Sequence, residues 1–404
     1  MFALHGRMAL LGATAGLVWT STAQAAPVPV SNTTELLDAI ASASPGDEII
    51  LADGTYAIGQ NVNCNAAGTA AEPIIVRAEN PLGATVEFDA VEGFKVDAPH
   101  WQFVDLDIQG VCADDSTCEH AFHVVGAADF FVMSGLRVRD FNAQLKVNAA
   151  DVGGTPTMPD DGLIERCDLG DTDGRQTGNP VTKLNIDGGD RWIVRDNYIH
   201  DFHKDGGNTI SYGAFMKSGG NDGVFERNLV ICDAGASVGG ARIGLSFGGG
   251  GTANQFCAPA FDPNVECDPE HTGGTMRNNI IVGCSDVGIY LNRSTSTAIE
   301  YNTLVATTGI DFRFLSTNGD ATGNVVSDAI RDRDGAMHTE GINLVDVTQA
   351  QFDSWYTDPL SGDLSLVGDA PAALVGMGPA LVSDDYCGRA RPGSDLTLLS
   401  LIHI

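Results

Sequence analysis

The chain has 404 residues, 43% hydrophobic and 19% charged, with 49 glycines. That profile describes an ordered, turn-rich protein with ample core rather than a disordered one. A formal net charge of -31 leaves no cationic surplus to displace counterions, which excludes a non-specific nucleic-acid binder.

In chain order, the first segment is "MFALHGRMALLGATAGLVWTSTAQAAPVPV", with Arg7 in a short basic start, an apolar run from Met8 to Trp19, and Ala23-Gln24-Ala25 as a small-x-small cleavage site. This is the pattern of an exported chain whose leader, residues 1–25, is removed. Export to a secreted or periplasmic location fits the acidic surface, and no segment has the apolar length of a membrane span. "NTTELLDAIASASPGDEIILADGTY" follows, placing Leu36, Leu37 and Ile40 on one face of a helix that breaks at Pro45-Gly46 before a strand. An amphipathic helix of this kind suits a cap on the open end of a solenoid, where a core cross-section would otherwise be bare.

From about residue 100 the sequence repeats. "WQFVDLDI", "FFVMSGLRV", "GLIERCDLG", "WIVRDNYIH", "VFERNLVIC", "TMRNNIIVG", "AIEYNTLVA" and "DATGNVVSD" each put one small or polar residue before an alternating apolar stretch: Asp105, Gly135, Cys167, Asn197, Asn228, Asn279, Asn302 and Asn324. Spacings run from 22 to 32 residues, with one of 51 that holds an insertion. Asn tolerates left-handed backbone, and stacked side-chain amides bond one another. Short period-2 strands at this repeat predict a right-handed parallel β-helix, an all-β solenoid, over residues 26–345, with residues 346–404 as its C-terminal wrap. Propeller blades repeat at 40 or more residues, and an antiparallel sandwich gives no ladder of turn asparagines.

Nine cysteines in an exported chain imply disulfides and at least one leftover thiol. Cys112/Cys118 and Cys257/Cys267 each bracket a short polar loop and are expected to pair. Pairings of Cys64, Cys167, Cys232, Cys284 and Cys387 stay open, and no CxxC zinc spacing occurs. The inserted "GGGGTANQFCAPAFDPNVECDPEHTGG" lacks the Gly-Lys-Ser/Thr of a phosphate loop, and Asp262, Glu266, Asp268, Glu270 and His271 lack calcium-loop spacing. It reads as a disulfide-pinned rim loop beside Arg242.

Because a β-helix interior is apolar, function must sit on outward side chains, stacked in rows about 4.8 Å apart along a groove suited to a linear polymer. "GAFMKSGGN" and "GGARIG" surround Lys217 and Arg242 with small and apolar residues and no sequence-local acid, which makes them candidates for an anionic ligand. Upstream, "LKVNA" offers Lys146 and Asn148, and "TKLNIDGG" offers Lys183, Asn185 and Asp187, as a continuous groove row would. His200, His203 and Lys204 in "YIHDFHKDGG" precede the lysine coil, and either histidine could serve as an acid.

"MKSGGNDGVFERNLV" followed by "GGARIG" resembles the signature of the chondroitinase B and alginate lyase group, polysaccharide lyase family six, and "PGDEIILADGTY" resembles the cap of that group. The resemblance implies β-elimination on an acidic, uronic-acid-containing polysaccharide, with Lys217 as base and Arg242 at the leaving-group side, the two sharing one sugar. It departs where family members carry two calcium-binding glutamates, since those positions are Ile210 and Tyr212 here. No metal or other cofactor is therefore expected. Lys146, Asn148, Lys183, Asn185, Asp187, His203, Lys204 and Tyr212 would contact the substrate of a monomeric enzyme. Two alternatives stand beside this reading. One is a non-catalytic β-helix that binds glycan or serves at a surface; the other is a glycoside hydrolase, for which Asp187 lacks an evident second carboxylate.

Overall fold

The computed structural model describes residues 26–233, 239–249, 251–368 and 382–391; the leader expected over residues 1–25 and most of the last stretch lie outside them. Three long sheets run the length of the described chain, one of twelve strands and two of ten, and every pairing within them is parallel. Each circuit of the chain adds one strand to each sheet, so each residue sits over its counterpart one coil earlier. The molecule is a right-handed parallel β-helix.

The core follows from period-2 burial. In Ile74–Ala78 and Ala84–Phe88 alternate residues are enclosed, and the inward rows stack like on like. Phe94, Phe103, Phe122 and Phe131 form an internal aromatic column, with centroids 4.8 Å apart for Phe94–Phe103 and for Phe103–Phe122. The helix Thr33–Ala41, capped by the Asn32 side chain, buries Leu36 and Ile40 and half-buries Leu37 over the first coil. At the far end the helix Gln349–Trp355 and the strands Tyr356–Asp358 and Asp363–Leu366 lie on the outside of the barrel. There Phe352, Tyr356 and Leu364 cluster with Ile231, Ile280 and Val305.

Asn197, Asn228, Asn279, Asn302 and Asn324 occupy one stacked corner between the twelve-stranded sheet and a ten-stranded one. Each Nδ2 donates to the Oδ1 of the next, at 2.9–3.0 Å, and the ladder continues to Asn343. The left-handed residue is the one before each asparagine, for example Asp196, Arg227, Asn278 and Tyr301. Asp105 and Gly135 are themselves left-handed, so they belong to that row, and Leu106 and Leu136 hold the places where asparagine stands later. The expected register was one residue off for those two coils.

Three disulfides staple the described residues: Cys112–Cys118 and Cys257–Cys267 as expected, and Cys232–Cys284, which joins consecutive coils. Cys64 and Cys167 are buried thiols and Cys387 an exposed one.

Candidate functional site

The groove sheet is the ten-stranded one that contains Glu92–Val96, His120–Val125, Ala143–Asn148, Val181–Asp187, Ile210–Met216 and Ala241–Phe247 in adjacent positions. Register pairs His123 with Lys146, Lys146 with Asn185, and Asn185 with Phe215 as one outward row. Asn148 pairs with Asp187 in the row beside it. Lys217 continues that second row just past the strand, its backbone N–H bonding the Ile186 carbonyl at 3.1 Å.

The turn after Lys217 explains its two glycines. Ser218 and Gly219 both have left-handed φ, and a Cβ on Gly219 would come within 2.0 Å of the Ala258 carbonyl oxygen. Only glycine fits there. The Cys257–Cys267 loop therefore seats on the Lys217 turn, with Ala258 N–H bonding Ser218 O at 2.9 Å. The loop is a rim element as expected, but its neighbour is Lys217, not Arg242.

Asp187 is the hub of the site. Lys146 Nζ lies 2.6 Å from one of its oxygens, Lys217 Nζ 3.4 Å from the other, and the Ser218 hydroxyl donates to it. Lys146 also donates to Asn185 Oδ1 at 3.0 Å. Burial alone would raise the Asp187 pKa, but Lys217, Lys146 and Ser218 outweigh it and hold the carboxyl below its ordinary value. For Lys146 burial dominates and pulls its pKa down, with Asp187 opposing. Lys217 also lies over the Phe215 ring, 4.9 Å from its centroid.

Around this hub opens a basin of about 450 Å³, lined among others by Lys146, Asn185, Asp187, Lys204, Tyr212 and Lys217. Lys204 donates to the Gly178 carbonyl and to Asn208 Oδ1, and desolvation pulls its pKa down. Tyr212 packs edge-on against Phe215 with centroids 5.5 Å apart, and burial pushes its pKa up. Six of the expected residues thus meet: Lys146, Asn185, Asp187, Lys204, Tyr212 and Lys217. Phe215, Ser218 and Asn208 were not singled out, although Phe215 stands two residues before Lys217 and alternation alone could have placed it on the same face.

The rest separate from the basin. Arg242 pairs in register with Ser211, six residues before Lys217 on the adjacent strand. At about 3.3 Å per residue the two are roughly 20 Å apart along the groove, so they do not share one sugar. Arg242 is enclosed, lying 3.3 Å from an Asp233 oxygen and donating to Gly239 O at 3.1 Å. Neither cation lacks an acidic partner: Asp187 reaches Lys217 from the preceding coil, and Asp233, nine residues before Arg242, lies beside it. Lys183 is fully buried, 2.5 Å from Asp171 and 2.8 Å from the Phe141 carbonyl, and contacts no groove. That strand buries Val181 through Ile186 alike, which defeats simple alternation there. His203 faces Asp205 at 3.7 Å and does not line the basin. His200 belongs to a different sheet, wedged between Asp168 and Asp201 at 2.7 Å each. Burial opposes its charge, but the two carboxylates raise its pKa to about 9. Asn148 Oδ1 accepts from His123 Nε2 at 2.8 Å, one coil short of Asp187.

A family model for chondroitinase B matches residues 30–95, the cap and first coils, upstream of the basin. No curated protein matches the sequence. Among solved structures, a rhamnogalacturonan lyase superposes with a TM-score of 0.52 at 15% identity, covering 83% of this chain and 91% of that one. A pectate lyase gives 0.51 at 15% identity over 88% and 82%. An alginate lyase from Paenibacillus sp. str. FPU-7 gives 0.46 at 15% identity over 80% and 96%. The chain shares the parallel β-helix fold of the rhamnogalacturonan lyase and the pectate lyase, and its opening segment is similar to chondroitinase B.

Proposed function

We propose that this is an exported, monomeric polysaccharide lyase that cleaves a uronic-acid-containing polymer by β-elimination at the Lys146–Asp187–Lys217 basin. One observation carries the reading. In a chain of net charge -31, three ammonium groups (Lys146, Lys204, Lys217) and a single carboxylate (Asp187) line one open basin on the groove sheet, a local excess of 3 − 1 = 2 positive charges. Repulsion from acids elsewhere is screened beyond about 8 to 10 Å, so an anionic sugar meets the local cations.

Lys146, already presented with Asn185, faces the sugar carboxylate and stabilises the charge that develops on it. Lys217 first passes a proton from its ammonium group to solvent and then, as the amine, takes the proton from the carbon that bears the carboxylate. The electron pair left behind forms a double bond to the next ring carbon, whose glycosidic oxygen departs with its bonding pair and is protonated by water. Phe215 and Tyr212 supply an apolar wall for the ring. Arg242 has no part in this scheme.

The hydrolase alternative needs two carboxylates across the bond; among the described residues lining the basin Asp187 is the one carboxylate, and it is held ionised. Three disulfides among the described residues suit an oxidising compartment, and no described helix is long and apolar enough to cross a membrane.

The test is incubation with alginate, chondroitin, dermatan and pectate. Elimination yields an unsaturated product with ultraviolet absorbance and one new reducing end per cut. Reducing ends without that absorbance would replace this reading with hydrolysis. Retention on a polysaccharide column with neither signal would replace it with a binding module.

A further inference from the structure

We propose that Glu92, His120 and His123 form a binding site for a first-row transition-metal dication of the zinc type, on the groove sheet upstream of the basin. This does not depend on the elimination reading.

The three side chains come from two consecutive coils. Glu92 and His120 are register partners on the strands Glu92–Val96 and His120–Val125, and His123 lies three residues further along. In an ideal strand positions i and i+3 face opposite sides. Here Ala121 and Phe122 are both buried, so the strand kinks and both histidines stay on the outside. One ligand atom from each of the three residues lies within 4.8 Å of the other two, and the two imidazole rings are 5.3 Å apart.

Two features go beyond proximity. First, His120 Nδ1 is buried and has no hydrogen-bond partner, which costs free energy unless something is bound there. Second, the groups that would orient the other two ligands are already in place. Glu92 Oε2 accepts from Asn61 Nδ2 at 3.1 Å, leaving Oε1 toward His123, and His123 Nε2 bonds Asn148 Oδ1 at 2.8 Å, leaving Nδ1 toward Glu92. Outer hydrogen bonds of this kind fix ligand rings and carboxylates at metal centres. Glu92 Oε1 and His123 Nδ1 are now 2.7 Å apart. Two ligands of a tetrahedral zinc ion at about 2.0–2.1 Å each stand about 3.3 Å from one another, so Glu92 and His123 part by about 0.6 Å and His120, within 4.8 Å of both, closes by up to about 1.5 Å, shifts that side-chain rotation supplies.

The donor set decides the ion. Two imidazoles and one carboxylate suit zinc, cobalt or nickel; calcium and magnesium require mostly oxygen ligands. Three protein ligands leave a fourth position for water or for an anionic group.

The test uses the full secreted chain, stripped with a chelator and desalted, then titrated with Co²⁺ and afterwards Zn²⁺. The expected result is one ion per chain at micromolar metal, a visible Co²⁺ ligand-field band that Zn²⁺ abolishes, and affinity lowered at least 100-fold in His120→Ala and His123→Ala. Asn148→Ala, which removes only the outer bond, should weaken binding about 10-fold. Circular dichroism establishes that each variant is folded, and Glu92→Gln replaces any that is not. A folded wild-type chain that takes up no Co²⁺ or Zn²⁺ at micromolar concentration overturns the site, as does equal uptake by the folded histidine variants.

Discussion

Lys217 reaches Asp187 across one coil of the helix, at 3.4 Å, although thirty residues separate them in sequence. The pairing ties the candidate base to a carboxylate that also holds Lys146. A lysine so placed is oriented rather than free to sample solvent, and orientation is much of what a general base contributes.

Replacing Lys217 separates proton transfer from charge. Lys217→Ala should cut turnover on the susceptible polymer by about 10²- to 10⁴-fold. Lys217→Arg keeps the cation beside Asp187 but cannot give up its proton, and should be equally inactive. Both should unfold within about 1–2 kcal/mol of the parent, since Asp187 retains Lys146 and Ser218. Initial rates with thermal melts on the same samples check this, and an active arginine variant would assign Lys217 to charge stabilisation alone.

Arg242 should behave in the opposite way. It is enclosed against Asp233 and the Gly239 carbonyl, roughly 20 Å along the strand from Lys217. Breaking a buried pair by truncating one partner typically costs about 3–5 kcal/mol. Arg242→Ala is expected to lower the urea midpoint strongly while kcat per folded molecule stays within about two-fold. A loss of kcat in a fully folded sample would return Arg242 to the reaction.

These two residues also mark what the sequence could and could not convey. The coil repeat was legible because inward rows must be apolar and the corner needs its amide, so Asn197 through Asn324 announce both the period and the stacked turn. Lys217 was legible because a cation beside two glycines stands out. The partners were not. Asp187 lies one coil from Lys217 and Asp233 lies beside Arg242, and both distances depend on coil length and on strand kinks that no local pattern encodes. Departures from alternation likewise bury Lys183 against Asp171 and bring His120 and His123 to one face, where alternation would have set the first outward and divided the other two.

The amide ladder should be cooperative. Asn279 Oδ1 accepts from both nitrogens of Asn228, and its Nδ2 donates to Phe225 O and Asn302 Oδ1, all at 2.9–3.0 Å and all buried. Asn279→Ala leaves polar groups on two neighbouring coils without partners, for about 2–4 kcal/mol. Asn343 ends the ladder and is partly exposed, so water can replace what its side chain gave. Asn343→Ala should cost about 1 kcal/mol. Equal urea midpoints for the two variants would show that the amides act independently of their depth in the stack.

His271 should set part of the protein's acid sensitivity. Its ring stacks on Phe247 with centroids 4.3 Å apart, neither ring nitrogen has a hydrogen-bond partner, and the residue is 1% exposed. Burial pushes its pKa from 6.5 down to about 3. The folded value lies below the unfolded one, so the stability linked to the neutral ring is complete above the unfolded pKa and drains away as pH falls from about 6.5 toward 3. Between pH 7 and pH 4 that amounts to about 3 kcal/mol, taking about 1.4 kcal/mol per unit below 6.5. His271→Leu removes the titrating ring and also the stacking on Phe247, so the variant starts less stable at neutral pH. Its loss of unfolding free energy between pH 7 and pH 4, measured in urea, should nevertheless be smaller than the parent's by about that same 3 kcal/mol. An unchanged loss would mean that the carboxylates held low by cations, Asp187 and Glu165 among them, carry the acid response instead.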